Sequence, residues 1–304
     1  MRLAAGRSLA VALAMRRRPR WFGRARHLTT RRRVTEIWYD VVYRGAWPAR
    51  LARLIGLQGR LGVSTYTLPV AATRRTAPPI RIGFVSDLHA GPATHPRLVA
   101  DACRAIADAK PELLLLGGDF VSFHARHVDR LVPLLRAIDA PLGKFAVLGN
   151  HDLLADEVYI TERLAEAGVR VLVNENARLA APHDDVWICG LDNTEEGTPD
   201  GQAAFAGAEK IRLLLMHSPD GLRAVGDRTF AAAFCGHTHG GQFWVGDRAL
   251  VSFSGPLSRK YLRGGVFHLG AGSGGILLVS RGIGCGNLPM RKGADPEVHV
   301  CTLR

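Results

Sequence analysis

The stretch Ile82-Gly83-Phe84-Val85-Ser86-Asp87-Leu88-His89 joins a short apolar run to two side chains that can bind a metal ion. An apolar run of this length that stops at polar residues is typical of a buried strand, so we predict a strand over residues 82–86 that ends at Asp87. Because the same succession recurs down the chain, this stretch sets the pattern for the whole fold.

Amphipathic segments alternate with apolar runs after residue 80. Apolar residues at helical spacing predict helices over residues 96–110 and 127–139. Short apolar runs predict further strands over residues 112–116, 144–148, 185–191, 211–216 and 230–235. Such alternation predicts an α/β fold in which helices cover the sheets.

Polar side chains that can bind metals follow five of these predicted strands. In open α/β sheets, ligands bind outside the carboxyl ends of the strands, so side chains at those ends meet on one rim. We therefore expect eight residues on that rim, namely Asp87, His89, Asp119, Asn150, His151, His217, His237 and His239.

This mixture of carboxylates, imidazoles and an amide suits phosphoester hydrolysis. A phosphoester is negatively charged and resists attack by water. Two cations about 3.5 to 4 Å apart neutralise its oxygens and lower the pKa of a water held between them. Since the rim contains no Cys, the sequence predicts two divalent metal ions of the Mn²⁺, Fe or Zn²⁺ kind.

The five motifs, in their order and spacing, resemble those of the calcineurin-like metallophosphoesterase superfamily. They are Asp87-Leu88-His89, Gly118-Asp119, Gly149-Asn150-His151-Asp152, His217 and Gly236-His237-Thr238-His239. The resemblance covers residues 80–304. It implies a four-layer αββα sandwich, in which two mixed sheets pack together and helices flank them.

The resemblance also implies a role for each residue of the motifs. It places Asp87, His89, Asp119 and His239 on a first metal ion. It places Asp119, Asn150, His217 and His237 on a second ion, so that Asp119 bridges the pair. His151 is the implied general acid and Asp152 orients its imidazole. Expected substrate contacts come from Asn150, His151, His124 and Arg259.

The C-terminal part is similar to a bacterial branch of this superfamily, typified by YkuE and YaeI. The segments that carry this likeness are residues 240–242, 258–261, 279–284 and 288–291. Members of the branch are often membrane-anchored or exported, and some cleave the diphosphate of UDP-2,3-diacylglucosamine. Arg259, Lys260, Arg281 and Arg291 either supply positive charge for a phosphate or are solvated surface residues or members of structural ion pairs. Residues 282–286 predict a tight loop near the mouth of the site.

Most of the positive charge lies in an N-terminal appendage, which we place at residues 1–79. The whole chain carries a net charge of +13, yet residues 1–80 hold 17 Arg, no Lys and two acidic residues, a net +15. The remaining chain is close to neutral. A phosphate-tracking groove should be positive where the nucleic acid lies, so a nucleic-acid partner is not expected.

The appendage leaves several interpretations open. The apolar run Leu9–Met15 is at the lower limit for a signal peptide and is closed at once by Arg16-Arg17-Arg18. Between Ala46 and Leu61, apolar residues recur at helical spacing with Arg between them. This pattern suits a basic helix at the surface of an anionic bilayer, a helix packed on the domain, or an unstructured leader. We expect a cytoplasmic protein, with a peripheral position at the inner face of the membrane under the first interpretation.

The sequence thus favours a metal-dependent phosphoesterase in which two ions activate a bridging hydroxide. A lipid-linked diphosphate such as UDP-2,3-diacylglucosamine is the most specific substrate it suggests. The alternatives are a non-catalytic scaffold of the same fold and a phosphodiesterase acting on a soluble nucleotide. Because His151 and all seven predicted ligands are present, the scaffold is disfavoured. Five widely spaced Cys without CxxC pairs predict small core residues and no disulfide framework.

Overall fold

A computed structural model gives the fold of the chain, and it describes residues 24, 30–68, 77–250, 255–270 and 275–304. The apolar run Leu9–Met15 and the arginines that follow it lie outside the described residues. The five Cys are all free and buried, as core residues of their kind are.

The helices and strands follow one another in the order expected of an α/β protein. The helices are α1 Thr30–Val42, α2 Trp47–Leu54, α3 Pro96–Asp108, α4 Val132–Arg136, α5 Asn150–Leu154, α6 Glu157–Glu166, α7 Gly201–Ala204, α8 Leu222–Val225 and α9 Pro256–Lys260. The strands are β1 Gly62–Leu68, β2 Ile80–Val85, β3 Leu113–Leu116, β4 Lys144–Ala146, β5 Val169–Val171, β6 Glu175–Arg178, β7 Val186–Gly190, β8 Ile211–Leu215, β9 Ala232–Cys235, β10 Trp244–Val245, β11 Arg248–Ala249, β12 Gly265–His268, β13 Ile276–Val279 and β14 Glu297–Leu303.

Two six-stranded mixed sheets form the centre of the molecule. The first has the order β1-β14-β2-β3-β4-β5, with β14 antiparallel to β2 and the run from β2 to β5 parallel. The second has the order β12-β13-β9-β8-β7-β6, with β12 and β6 antiparallel to their neighbours at its two edges. Strands β10 and β11 form a separate small hairpin.

Three buried apolar clusters show how the layers stack. One cluster takes side chains from both sheets, including Phe84 and Phe234, and fills the space between them. A second packs helices α3, α4 and α6 on the outer face of the first sheet. The third packs α7, α8 and α9 on the outer face of the second sheet. The predicted four-layer αββα sandwich is confirmed.

The continuous apolar runs are explained by burial on both faces of a sheet. In β3, Leu113 and Leu115 join the cluster between the sheets, whereas Leu114 and Leu116 join the cluster beneath the helices. Side chains alternate between the faces of a strand, so a strand covered on both sides needs apolar residues at every position.

The predicted helix over residues 127–139 is wrong in its form. The chain there makes a 3₁₀ helix, Ala125–Arg130, followed by the short helix α4. Pro133 explains the break, because it lacks an N–H and its ring clashes with the carbonyl four residues earlier in a continuous α-helix.

The described part of the N-terminal appendage contributes two helices and a strand. Strand β1 pairs in parallel with β14 and lies at the edge of the first sheet, so the sheet begins before the predicted division at residues 79 and 80. The helical spacing seen after Ala46 corresponds to α2, which ends before Gly56 (φ 77°). Among the described helices, none has the length and apolar character needed to cross a bilayer.

We predict that Phe84→Ala lowers the free energy of unfolding by about 3 to 5 kcal/mol, because it leaves a cavity between the sheets. Phe84 is fully buried and its ring lies 5.3 Å from that of Phe234. Urea denaturation followed by circular dichroism measures the change. Val63→Ala, at an exposed position on β1, is the control and should shift the midpoint little.

Candidate metal centre

The predicted site residues meet where strands of the two sheets end. Asp87, Asp119 and Asn150 follow β2, β3 and β4 of the first sheet, while His217 and His237 follow β8 and β9 of the second. Asn150 and His151 are half-buried, and the other rim residues are buried. The expected rim is therefore formed by two sheets that converge and not by one.

Four of these residues form a compact group. Asp87, His89, Asp119 and His239 each offer one ligand atom, and these atoms lie within 4.8 Å of one another. The Nε2 atoms of His89 and His239 are 3.0 Å apart. Two imidazole nitrogens that face each other beside two carboxylates are the arrangement that a shared cation favours.

The other three predicted ligands adjoin this group. The Nε2 atom of His217 lies 3.1 Å from Oδ1 of Asn150 and 3.2 Å from Nδ1 of His237. These atoms are an amide oxygen and two imidazole nitrogens, and all three are of kinds that can bind a metal ion. They could hold a second ion beside the first.

The carboxylate of Asp119 lies between the two groups. Its Oδ2 is 3.3 Å from Nε2 of His89 and 3.4 Å from Nε2 of His217. Its Oδ1 accepts a hydrogen bond of 2.9 Å from the backbone N–H of His151. A backbone hydrogen bond to one oxygen thus fixes the carboxylate, and the other oxygen lies within 3.4 Å of both sets of predicted ligands.

The backbone at these strand ends is unusual. Five site residues have a positive φ, namely Asp87 (54°), His89 (42°), Asp119 (54°), His237 (68°) and His239 (50°). Left-handed conformations are uncommon for residues other than Gly and cluster at functional sites. Both residues of the pairs Asp87 and His89, and His237 and His239, have this backbone.

Glycines allow the motifs to approach one another. A Cβ on Gly149 would collide with the carboxylate of Asp119, and a Cβ on Gly236 would collide with the carboxylate of Asp87. The glycines that precede Asn150 and His237 in their motifs therefore provide space for the carboxylates. The predicted loop 282–286 also packs here, and Gly284 N–H donates to the carbonyl of Asp87.

Neighbouring groups orient the ligand rings. Nδ1 of His217 donates to the carbonyl of Gly117 at 2.8 Å, which directs Nε2 into the site. The carboxylate of Asp87 accepts the backbone N–H of His237 at 3.1 Å. Such contacts fix the tautomer and position of metal ligands.

Opposite charges shift the pKa values of the central pair in opposite directions. Burial raises the pKa of Asp119, but the charges of His217 and His151 outweigh it, so this pKa lies well below its usual range. Burial lowers the pKa of His217, but Asp119 reverses the effect and raises it to about 10. A metal ion that binds here must displace the proton of His217, because ligands bind in their deprotonated form.

Comparison with known proteins agrees with this geometry. Residues 80–241, more than half of the chain, match the family model described as calcineurin-like phosphoesterase. The chain belongs to the calcineurin-like phosphoesterase family. It is a metallophosphoesterase, a hydrolase that acts on phosphoester bonds, and its buried Asp and His cluster fits the divalent metal centre of that family.

Several relatives of this metallophosphoesterase are bacterial proteins. The phosphodiesterase YaeI of Escherichia coli is 32% identical over 244 residues, which cover 77% of this chain and 86% of YaeI. The uncharacterized metallophosphoesterase YkuE of Bacillus subtilis is 30% identical over 66% of this chain and 70% of YkuE. The UDP-2,3-diacylglucosamine pyrophosphatase LpxG of Chlamydia trachomatis is 26% identical over 74% of this chain and 83% of LpxG. The predicted superfamily and bacterial branch are confirmed.

The orienting role predicted for Asp152 is wrong. Its carboxylate is fully buried and accepts the backbone N–H groups of Phe120, Val121 and Gly149 at 2.9, 3.2 and 3.0 Å. The Nδ1 atom of His151 instead lies 2.5 Å from the carbonyl of Ser122. Asp152 therefore joins the loop after β3 to the loop after β4, and the backbone at Ser122 orients the imidazole.

The predicted substrate contacts divide in the structure. Asn150 and His151 lie at the metal centre, but His124 contacts Asp40 of helix α1, with Nε2 3.0 Å from each carboxylate oxygen. Arg259 is exposed on α9, and its neighbour Ser258 contacts Ser218, which follows the predicted ligand His217. His124 is thus part of an interface between the appendage and the domain.

Arg291, for which the sequence leaves a phosphate contact or a structural role open, is buried and has structural contacts. It donates to the carbonyls of Gly284 and Ala294, and its Nη2 atom lies 3.2 Å from Nδ1 of His239. Arg281 pairs with Glu297 at 2.5 Å. These two arginines hold the C-terminal loops against the metal centre.

Two neighbours of the site escaped the sequence analysis. Ser122 contacts His151 through its carbonyl and lies 3.5 Å from Nδ1 of His89 through Oγ. Glu195 lies with Oε1 3.5 Å from Nε2 of His237. Ser122 could have been predicted because it follows Asp119 closely in the sequence. Glu195 lies on a loop far in sequence from every motif, so no pattern pointed to it.

We predict that Asp152→Asn lowers the free energy of unfolding by about 1 to 3 kcal/mol, because an amide NH₂ group cannot accept the Gly149 N–H. Burial and then the charge of Asp119 raise the pKa of Asp152 to about 8, and the hydrogen bonds from the N–H groups of Gly149 and Val121 oppose this rise. Urea denaturation measures the loss. Asp139→Asn, at an exposed position, is the matched control, and equal midpoints for both variants would contradict the prediction.

Proposed function

We propose that this chain hydrolyses a phosphoester or diphosphate bond with two divalent cations that Asp119 and six neighbouring side chains would hold. The observation that carries the proposal is the placement of Asp119 Oδ2 between His89 and His217, 3.3 and 3.4 Å from their Nε2 atoms. In the proposal, Asp87, His89 and His239 complete the first set of ligands. Asn150, His217 and His237 complete the second.

Bound cations of this kind neutralise phosphoryl oxygens and lower the pKa of a water molecule toward neutrality. The chain's own residues hold the ligands in place before substrate arrives. Asp119 is fixed by the backbone of His151, and His217 is fixed by the backbone of Gly117. Such preorganisation avoids a rearrangement of dipoles during the reaction.

His151 is the proposed proton donor to the leaving oxygen. A carbonyl only accepts hydrogen bonds, so the contact with Ser122 assigns the Nδ1 proton to that carbonyl. In the proposal, a second proton carried on Nε2 is the one that His151 transfers to the leaving oxygen. The rings of His89 and His151 lie 4.8 Å apart edge to face, which places this imidazole beside the proposed metal ligands.

The finer proposal is a lipid-linked diphosphate substrate, such as UDP-2,3-diacylglucosamine, reached from the inner face of the cytoplasmic membrane. Two observations support it. The related LpxG is named for that pyrophosphatase activity. The helices of the appendage also expose apolar side chains beside the domain. A soluble nucleotide phosphodiester is the second candidate, supported by the likeness to the phosphodiesterase YaeI.

We predict that Asp119→Asn reduces bound metal from two equivalents toward one or none and lowers turnover of bis-p-nitrophenyl phosphate by roughly a thousandfold or more. An uncharged amide would bind divalent cations more weakly than the carboxylate does. Elemental analysis of protein reconstituted with Mn²⁺ measures the metal, and absorbance measures the turnover.

His151→Asn is the matched control for this experiment. It should keep the metal and lower kcat by about 10² to 10⁴, because it removes a proton donor. Wild-type protein with well under two equivalents of metal and no turnover after reconstitution would favour the non-catalytic scaffold.

We further predict that the enzyme cleaves UDP-2,3-diacylglucosamine with a higher kcat/KM than bis-p-nitrophenyl phosphate or a cyclic nucleotide. Remote parts of a cognate substrate supply binding energy that stabilises the transition state. Product analysis by thin-layer chromatography with Mn²⁺-loaded enzyme measures this. Preference for the cyclic nucleotide would support the soluble phosphodiesterase instead.

A further inference from the structure

Helices α1 and α2 each expose an apolar stripe on one side. Val34, Ile37, Trp38 and Val41 follow the spacing i, i+3, i+4, i+7 along α1. Trp47, Leu51 and Leu54 of α2, with Ile55 directly after the helix, follow i, i+4, i+7, i+8. These eight residues make up most of the exposed large apolar side chains in the described chain, with Val41 at 69% and Leu54 at 83%. Such a concentration marks an interaction surface.

The opposite sides of the two helices are attached to the domain. Tyr39 and Tyr43 are buried with Phe123, and both of their hydroxyls donate to the carbonyl of Asn287 at 2.7 and 3.2 Å. Asp40 contacts His124, and Arg53 contacts Asp101. The apolar stripes are therefore held outward by a fixed interface.

A basic cavity lies between these helices and the domain. Its volume is about 630 Å³, and its lining includes Arg44, Arg50, Arg126 and Arg130. Among its described lining residues, Asp40 is the one carboxylate, and it pairs with His124. Burial, followed by the charge of Arg130, lowers the pKa of the lining residue His127 to about 4, in keeping with a positive potential there. A cavity of this charge suits an anionic group.

We propose that the helix pair docks on an anionic lipid bilayer, with the apolar stripes in the interface and the basic cavity on the phosphate of a lipid headgroup. Charge selects this occupant. The cavity is lined by four Arg and one Asp, so two copies of this surface would repel each other, whereas an anionic leaflet attracts it. Exposed Trp38 and Trp47 suit the same interface, where tryptophan is enriched.

The position of the helix pair connects it with the proposed lipid-linked substrate. The ring of Tyr39 lies 4.5 Å from that of Phe123, and the ring of Phe123 lies 6.1 Å from that of His151. Docking through α1 and α2 would hold the bilayer at a fixed place relative to the metal centre. This link rests on the proposed function, but binding to lipid does not depend on catalysis.

The test is cosedimentation of the full chain with vesicles. Wild type should bind vesicles that contain phosphatidylglycerol and not vesicles of phosphatidylcholine alone, and added salt should weaken the binding. Val41→Ser/Leu54→Ser should lower the partition coefficient roughly tenfold, because it removes exposed apolar area from the interface. Val245→Ser/Leu250→Ser, at exposed apolar positions elsewhere, is the control and should bind as wild type.

A second pair of variants tests the basic cavity. Arg44→Gln/Arg126→Gln should weaken binding to phosphatidylglycerol vesicles by roughly tenfold or more. The control is Arg170→Gln/Arg248→Gln, which removes the same amount of charge at exposed positions outside the cavity. This control should bind the vesicles much more tightly than the cavity variant. Inorganic phosphate that competes with vesicles at the cavity would indicate a headgroup site, whereas an equal effect of both arginine pairs would overturn the cavity's part in docking.

Further results separate this proposal from the catalytic one. All four variants should hydrolyse bis-p-nitrophenyl phosphate like wild type, since none touches the metal centre. Equal vesicle binding by wild type and Val41→Ser/Leu54→Ser would overturn membrane docking while leaving the phosphoesterase proposal intact. Self-association in sedimentation velocity that the same variant abolishes would assign the stripes to a second copy and overturn the proposal as well.

Discussion

The metal centre depends on a single buried carboxylate. Asp119 has one oxygen fixed by the backbone of His151 and the other placed between His89 and His217. A carboxylate without compensation is costly to bury, so the surrounding imidazoles are required for it to stay ionised. Gly149 has no Cβ, which would otherwise collide with this carboxylate, and Asp119 has a left-handed backbone. Both features allow the strand ends to approach each other.

The two sheets give this carboxylate its partners. Parallel strands place their carboxyl ends on one edge, and the packing of the sheets through Phe84 and Phe234 brings the two edges together. Asp152 then ties the loop after β3 to the loop after β4 with three backbone hydrogen bonds. The geometry of the rim therefore depends on how the two sheets pack, since a shift of one sheet would separate His217 from Asp119.

The appendage differs from the domain in the forces that place it. Its helices bury Tyr39 and Tyr43 and leave their apolar stripes outside. Strand β1, in contrast, pairs with β14 and is part of the first sheet. The appendage thus combines a strand of the sheet with the apolar surface that we propose docks on a lipid bilayer. The short ring-to-ring path from Tyr39 to His151 connects that surface with the metal centre.

The sequence by itself determined the α/β class, the strand ends where the candidate ligands lie and the members of the buried Asp and His cluster, because buried strands need continuous apolar runs and metal centres need particular side chains. Only the tertiary structure decided the partners of those residues. Asp152 bonds to backbone N–H groups, His124 pairs with Asp40, and Glu195 approaches His237 from a distant loop. Hydrogen-bond partners depend on distances between segments remote in sequence, which neither periodicity nor motif spacing contains.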